Sequence, residues 1–183
     1  MNEQRLPYVR LSPDAIAAMQ SLEHYLNAMS GLEKTLLELV RLRVSLLNGC
    51  EFCIGLHRYE LQRIHEPESV IDAVARCRDS NAFTHRQRAA LEWAEAITEI
   101  QTHRATDREY ASLREHFSEK EIVDLTIAIT SINAWNRLGI TFHSQWDPLK
   151  AGGNGHVAKM ESNAAAIATA DEPGQILPSE EIS

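Results

Sequence analysis

Glu38, Cys50, Cys53 and His57 follow one another as Glu-x11-Cys-x2-Cys-x3-His, and these residue types at this spacing suit thiol redox chemistry. A cysteine attacks as its thiolate, and an unassisted thiol with a pKa of about 8.5 supplies little of it at neutral pH. A helix N-terminus or a basic neighbour lowers that value. His57 follows Cys53 by four residues, which puts both side chains on one face of a helix. On one straight helix, at about 1.5 Å per residue, Glu38 and Cys50 would stand roughly 18 Å apart. Asn48-Gly49 interrupts such a helix, because both residues tolerate the left-handed backbone of a helix end. If the chain reverses there into an antiparallel helix pair, Glu38 and His57 reach the same level. Glu38 then orients and charges the imidazole, His57 takes or returns a proton, Cys53 attacks and Cys50 resolves. Cys50 at the start of its helix also faces unpaired backbone N–H groups, so on physical grounds either cysteine serves as nucleophile.

For a peroxide, attack on the O–O bond leaves a sulfenic acid and releases an alcohol or water, and condensation with the second cysteine closes a disulfide. An external dithiol must reopen it by thiol exchange, and Cys50 is expected to be the more exposed sulfur that meets this reductant.

The elements that must hold these residues read as helices. Ser12-Pro13 caps a segment with Ile16, Met19, Leu22 and Leu26 at helical spacing. A second helix over about Leu32 to Leu47 is apolar nearly all round and therefore buried. A third, from about Glu51 to Ile64, carries Cys53 and His57; Pro67 ends that stretch before a helix over roughly Ser69 to Arg78. Thr84 caps a segment containing Ala89, Leu91, Trp93, Ala94 and Ile97. Ser118-Glu-Lys-Glu121 has the form of a capping box and opens a long, central helix over Ile122 to Ile140. No strand is predicted. The expected fold is all-α, a single-domain bundle of six to seven helices over residues 1–150, followed by a flexible acidic tail over 151–183. In that tail Lys159 stands against Glu161, Asp171, Glu172, Glu180 and Glu181.

The formal charge of −8 and the dispersed basic residues exclude a phosphate-backbone footprint, so no nucleic-acid partner is expected. No apolar run of membrane-spanning length occurs and Met1 to Arg10 lacks the apolar core of a signal peptide, which predicts a cytoplasmic protein with no membrane partner. In a reducing compartment a Cys-x-x-Cys pair is redox-active or metal-binding rather than a structural staple. Cys77, alone in a helical pattern, reads as a small buried apolar residue. The other histidines show no ligand spacing, Trp93 reads as core, and Asn133, Trp135, Asn136 and Arg137 as lining a pocket or joining subunits. Glu38 on its own fits a buried carboxylate paired with Arg41 or Arg43.

At the Glu38, Cys50, Cys53 and His57 motif the sequence resembles the alkylhydroperoxidase D-like (AhpD-like) group of the carboxymuconolactone decarboxylase superfamily. The likeness extends over Gln87 to Ala96 and Phe117 to Leu125 and ends at Ile132 to Arg137, spanning most of residues 10–145. It implies an all-helical homo-oligomer, a trimer or hexamer. It further implies reduction of organic hydroperoxides or hydrogen peroxide by the cysteine pair, and an external lipoyl-type dithiol as reductant in place of a bound cofactor. It also implies Cys53 as the peroxidatic and Cys50 as the resolving cysteine, with Glu38 and His57 as the proton relay. The chain departs from the pattern at Phe52, where family members can carry a histidine before the second cysteine.

Three other functions compete with this reading. Cys50, Cys53, His57 and Glu38 together match a structural zinc set, though without a second cysteine or histidine pair; no metal is expected. A disulfide switch in a non-catalytic stress or interaction protein uses the same two thiols without turnover. Lactone decarboxylation, the chemistry in the superfamily's name, needs neither cysteine.

Overall fold

The computed structural model describes residues 3–148 and, among them, helices and no strand. The helices are α1 (Tyr8–Leu11), α2 (Pro13–Ala28), α3 (Lys34–Asn48), α4 (Glu51–Arg63), α5 (Glu68–Ala73), a 3-10 helix (Val74–Asp79), α6 (His85–Thr98), α7 (Ile100–His103), α8 (Asp107–Arg114) and α9 (Glu119–Thr141). The all-α expectation holds. The tail expected over 151–183 lies outside the described residues. None of the described helices is long and apolar enough to cross a membrane.

α3 is the axis of the bundle because its sequence offers no polar face to water. Leu36, Leu37, Leu39, Val40, Leu42 and Val44 are all buried, each contributing about 1.5–3 kcal/mol relative to exposure. One side packs with Leu26, Trp93, Leu113, Leu125 and Ile129 from α2, α6, α8 and α9. The other meets Leu61, Ile71, Val74, Cys77 and Leu91 from α4, α5, the 3-10 helix and α6. Trp93 is core, as its spacing predicts, and its indole N–H donates to Thr126 Oγ1 at 2.9 Å.

Side-chain caps open α4, α6, α8 and α9, whereas α1, α2, α3, α5 and α7 start without one. Thr84 with Gln87, Thr106 with Glu109 and Ser118 with Glu121 form reciprocal capping boxes that satisfy orphan N–H groups at the starts of α6, α8 and α9. Ser12, expected to cap α2, makes no side-chain cap bond; Pro13 alone marks that start. The helix expected over 69–78 divides into α5 and the 3-10 turn, with a kink at Arg76, where φ is −126° and ψ 42°. α9 is central as expected, but only along one stripe: Leu125, Ile129 and Ile132 are buried whereas Val123 is 56% exposed.

The α3–α4 turn is the part of the fold that positions the chemistry. Gly49 adopts φ 70° and ψ 31°, in the left-handed region that glycine enters without a Cβ penalty. The Gly49 N–H donates to Leu46 O at 3.3 Å and the Cys50 N–H to Ser45 O at 3.0 Å, the paired bonds of a Schellman ending. Cys50 therefore closes α3 and, as N-cap, opens α4.

Candidate active site

The reversal at Gly49 brings together all four residues singled out in the sequence. Cys50 and Cys53 are joined as a disulfide across the first turn of α4, with Cα atoms 5.3 Å apart. The Cys53 N–H points at Cys50 Sγ at 3.4 Å, so the positive end of α4 faces the Cys50 sulfur. One turn further on, His57 Nδ1 meets Glu38 Oε2 at 2.8 Å. Glu38 is a carboxylate and can only accept in this bond, so Nδ1 carries the proton and Nε2 is the basic edge of the ring.

Behind His57 lies a chain of charge, buried at Glu38 and Arg41 and half-buried at Glu23. Arg41 Nη1 donates to Glu38 Oε1 at 2.6 Å and to Asn27 Oδ1 at 2.9 Å, while Arg41 Nη2 donates to Glu23 Oε2 at 2.7 Å. Glu23 Oε1 accepts from Ser131 Oγ and, at 3.2 Å, from the Trp135 indole N–H. Burial opposes the Glu38 carboxylate, but Arg41 and His57 outweigh it and hold the carboxyl at about 2. Burial likewise opposes the Arg41 cation, and Glu38 with Glu23 keeps it above its ordinary range. Of the two arginines expected as partners of Glu38, Arg41 fills the role. Arg43 turns instead to Glu95, at 2.7 Å.

Both sulfurs are enclosed. Cys50 is 1% and Cys53 3% exposed, so Cys50 is not the outward cysteine that the sequence reading expects. The cover comes from α9: a Cβ built on Gly139 would lie 3.0 Å from Cys50 Sγ and 3.6 Å from Cys53 Sγ. Glycine at 139 lets the helix backbone close over the pair. On the outer face of α4 a second glycine, Gly55, receives the Trp146 indole, whose ring atoms occupy the space of a Cβ. Phe52 meets this indole edge-on at 5.9 Å between centroids, and Tyr59 lies 6.0 Å from it. The ring between the two cysteines thus packs as an aromatic rather than offering a proton acceptor.

Asn133 and Asn136, expected to line a pocket or join subunits, tie α9 to α3 within the chain. Asn48 Nδ2 donates to Asn133 Oδ1 at 3.0 Å and to Asn136 Oδ1 at 2.9 Å, and Asn136 Nδ2 donates to Ser45 Oγ at 3.1 Å. These bonds fix the end of α3 one residue before Gly49 and hold Gly139, one turn beyond Asn136, against the sulfurs.

Cys77 is buried as expected, and its thiol donates to Glu95 Oε1 at 3.1 Å. Burial and this bond push it up to about 11, which leaves it an unreactive thiol. Among the described residues no group of three or more His, Cys, Asp or Glu is arranged to hold a metal ion.

Glu23, Gly139 and Trp146 are site residues absent from the sequence reading. Their roles depend on how α2, α9 and the segment after α9 pack, and no local spacing carries that information. Arg41, three residues from Glu38, has a local signal in the sequence.

The profile of the Carboxymuconolactone decarboxylase family matches residues 13–96. The chain is 36% identical over 137 residues to the uncharacterized protein YdfG of Bacillus subtilis (strain 168), covering 75% of this chain and 92% of that protein. A crystal structure from Agrobacterium tumefaciens, of a protein of unknown function and candidate AhpD antioxidant defence protein, superposes with a TM-score of 0.77. It is 39% identical, over 79% of this chain and 99% of that one. The alkylhydroperoxidase AhpD core of an uncharacterized peroxidase-related protein from Ralstonia eutropha JMP134 shares the fold, with a TM-score of 0.68 at 23% identity over 76% of this chain and 74% of that one. By sequence and by fold, the chain belongs to the AhpD-like proteins of the carboxymuconolactone decarboxylase superfamily.

Proposed function

We propose that this protein is a cysteine-dependent hydroperoxide reductase. The observation that carries the reading is the 2.8 Å contact between Glu38 and His57 one turn from a cysteine pair, because a carboxylate-held imidazole is a base that can draw a proton from a buried thiol. Family membership supports a peroxidase-related or decarboxylase-like enzyme, and of these two activities the peroxidase is the one that uses both cysteines.

In the reduced protein the Cys53 thiol gives its proton to His57 Nε2, and the thiolate attacks one oxygen of the hydroperoxide. An S–O bond forms as the O–O bond breaks, and the departing alkoxide takes the proton from His57 and leaves as the alcohol. The Cys50 sulfur then attacks Cys53, expelling water and closing the disulfide. A dithiol of the lipoyl type reopens it in two exchange steps, itself becoming a cyclic disulfide. Cys53 is assigned the attack because it stands one turn from His57. Cys50 resolves, its sulfur stabilised at the N-terminus of α4.

The reading also includes a cytoplasmic setting, where such dithiols are kept reduced, and a homo-oligomer. An apolar groove of about 820 Å³ between α2, α6, α8 and α9, lined by Met19, Leu22, Tyr110, Val123 and Ile127 among others, supports self-association.

Phe52 favours a second reading, a disulfide reductase or switch with no peroxide step, since its ring packs on Trp146 and brings no imidazole to the sulfurs. The two separate in the Cys50→Ser protein treated with one equivalent of cumene hydroperoxide and a sulfenic acid trap. The peroxidase reading expects a stoichiometric adduct on Cys53. An unmodified Cys53, in a protein whose wild-type disulfide is readily reduced, supports the switch instead.

A further inference from the structure

Glu38 alone does not give His57 a net negative neighbour, because Arg41 sits 2.6 Å from the same carboxylate and cancels its charge. What breaks the balance is Glu23, which holds the other end of the guanidinium at 2.7 Å. Two carboxylates share one cation, and the set carries a net charge of −1 that is brought to zero when His57 accepts a proton. Among the described residues no further cation pairs with Glu38 or Glu23. Arg41's remaining partner is Asn27, and Ser131 and Trp135 of α9 offer Glu23 neutral donors. Glu60, one turn along α4 from His57, pairs with Arg63 at 3.0 Å and Lys34 at 3.9 Å, and the positive charge left over sits on two side chains about half exposed to solvent, which screens it.

We propose that Glu23, acting through Arg41, sets the charge that makes His57 the proton acceptor for the cysteine pair. With Glu23 ionised, moving a proton from Cys53 to His57 relocates one negative charge from the carboxylate cluster to a sulfur at the α4 N-terminus. Without it, the same transfer separates opposite charges in a buried site, which the low local dielectric penalises. Glu23 touches neither sulfur nor imidazole, and it is a positioning and charge-setting residue. The proposal rests on the proton relay of the reading above and not on the identity of the oxidant.

The test is the pH dependence of iodoacetamide alkylation of the reduced full-length protein, which reads thiolate formation without peroxide. Glu23→Gln keeps the size of the side chain and one of the two oxygens that accept from Arg41, Ser131 and Trp135 while removing the charge, and Glu23→Ala removes charge and acceptors together. Both are expected to move the profile to higher pH by about one unit, the low end for a nearby charge, so that alkylation on the acid limb falls about tenfold. Glu23→Asp, which restores the charge, is expected to return the profile toward wild type. Profiles of Glu23→Gln and Glu23→Ala that match wild type, while His57→Gln shifts, overturn this proposal and leave the peroxidase reading standing. A shifted Glu23→Gln profile in a protein that consumes no hydroperoxide sustains the proposal and removes the peroxidase reading. A Glu23→Asp profile that coincides with that of Glu23→Gln shows geometry rather than charge and overturns it.

Discussion

His57 Nδ1 lies 2.8 Å from Glu38 Oε2, although 19 residues separate them and each belongs to a different helix. The bond exists because Gly49 turns the chain back on itself in a left-handed conformation and Cys50 serves both helices at once. The same turn that creates the cysteine pair therefore delivers its base.

The cluster behind that base couples activity to stability. Arg41→Met leaves the Glu38 and Glu23 carboxylates without their cation, and the expected loss is about 3–5 kcal/mol. Denaturation midpoints in urea check it; a loss under about 1 kcal/mol shows that the cluster is solvated and carries little of the site's electrostatics.

Gly139→Ala gains about 0.5–1 kcal/mol in helix propensity but puts a methyl 3.0 Å from Cys50 Sγ. The sulfur is pinned between two helix ends and cannot yield, so overpacking at about 1–3 kcal/mol outweighs the gain. Lower thermal stability in the oxidised protein, with slower reduction by dithiothreitol, is the expected pair of results.

Gly55→Ala removes the seat of Trp146. The indole is expected to leave the Phe52 and Tyr59 rings, shifting tryptophan emission to the red; an unchanged spectrum, set against a Trp146→Phe control, contradicts the packing described here.

Acid lowers stability through two carboxyls in particular. Burial opposes ionisation of Glu38, but Arg41 and His57 prevail; the Ser118 backbone N–H leads in holding Glu121. Both sit at about 2 in the folded chain against 4.5 for an unperturbed carboxyl. A depressed folded value means that the unfolded chain binds these protons first. The contribution is complete above about pH 4.5 and is lost as the pH falls toward about 2. Denaturant midpoints measured across that window are expected to fall steeply in wild type and less steeply in Glu121→Gln.

How much of this was legible in the sequence follows from which interactions are local. The Cys53 to His57 spacing, the Asn48-Gly49 break and the Ser118 capping box each act within a few residues, and each is in place; the Glu38 to His57 contact follows once that break reverses the chain. α7 and α8 are not among the helices expected from the sequence despite the Thr106 and Glu109 box, because the short, polar Asp107–Arg114 segment buries only Leu113 and offers no apolar period. The burial of Cys50 and the placement of Glu23 against Arg41 depend on α9 packing across α3 and α4 and on α2 packing against α9. Such packing is set by the whole core, and neither residue advertises it in its own neighbourhood.

Whether the cysteine pair reduces peroxides is decided by turnover of cumene hydroperoxide by the purified protein with dihydrolipoamide, alongside Cys50→Ser and Cys53→Ser. Steady consumption by wild type, none by Cys53→Ser and at most one equivalent by Cys50→Ser is the expected result for a peroxidase. Consumption by Cys53→Ser at the wild-type rate, or none by wild type while dihydrolipoamide still reduces its disulfide, would contradict it.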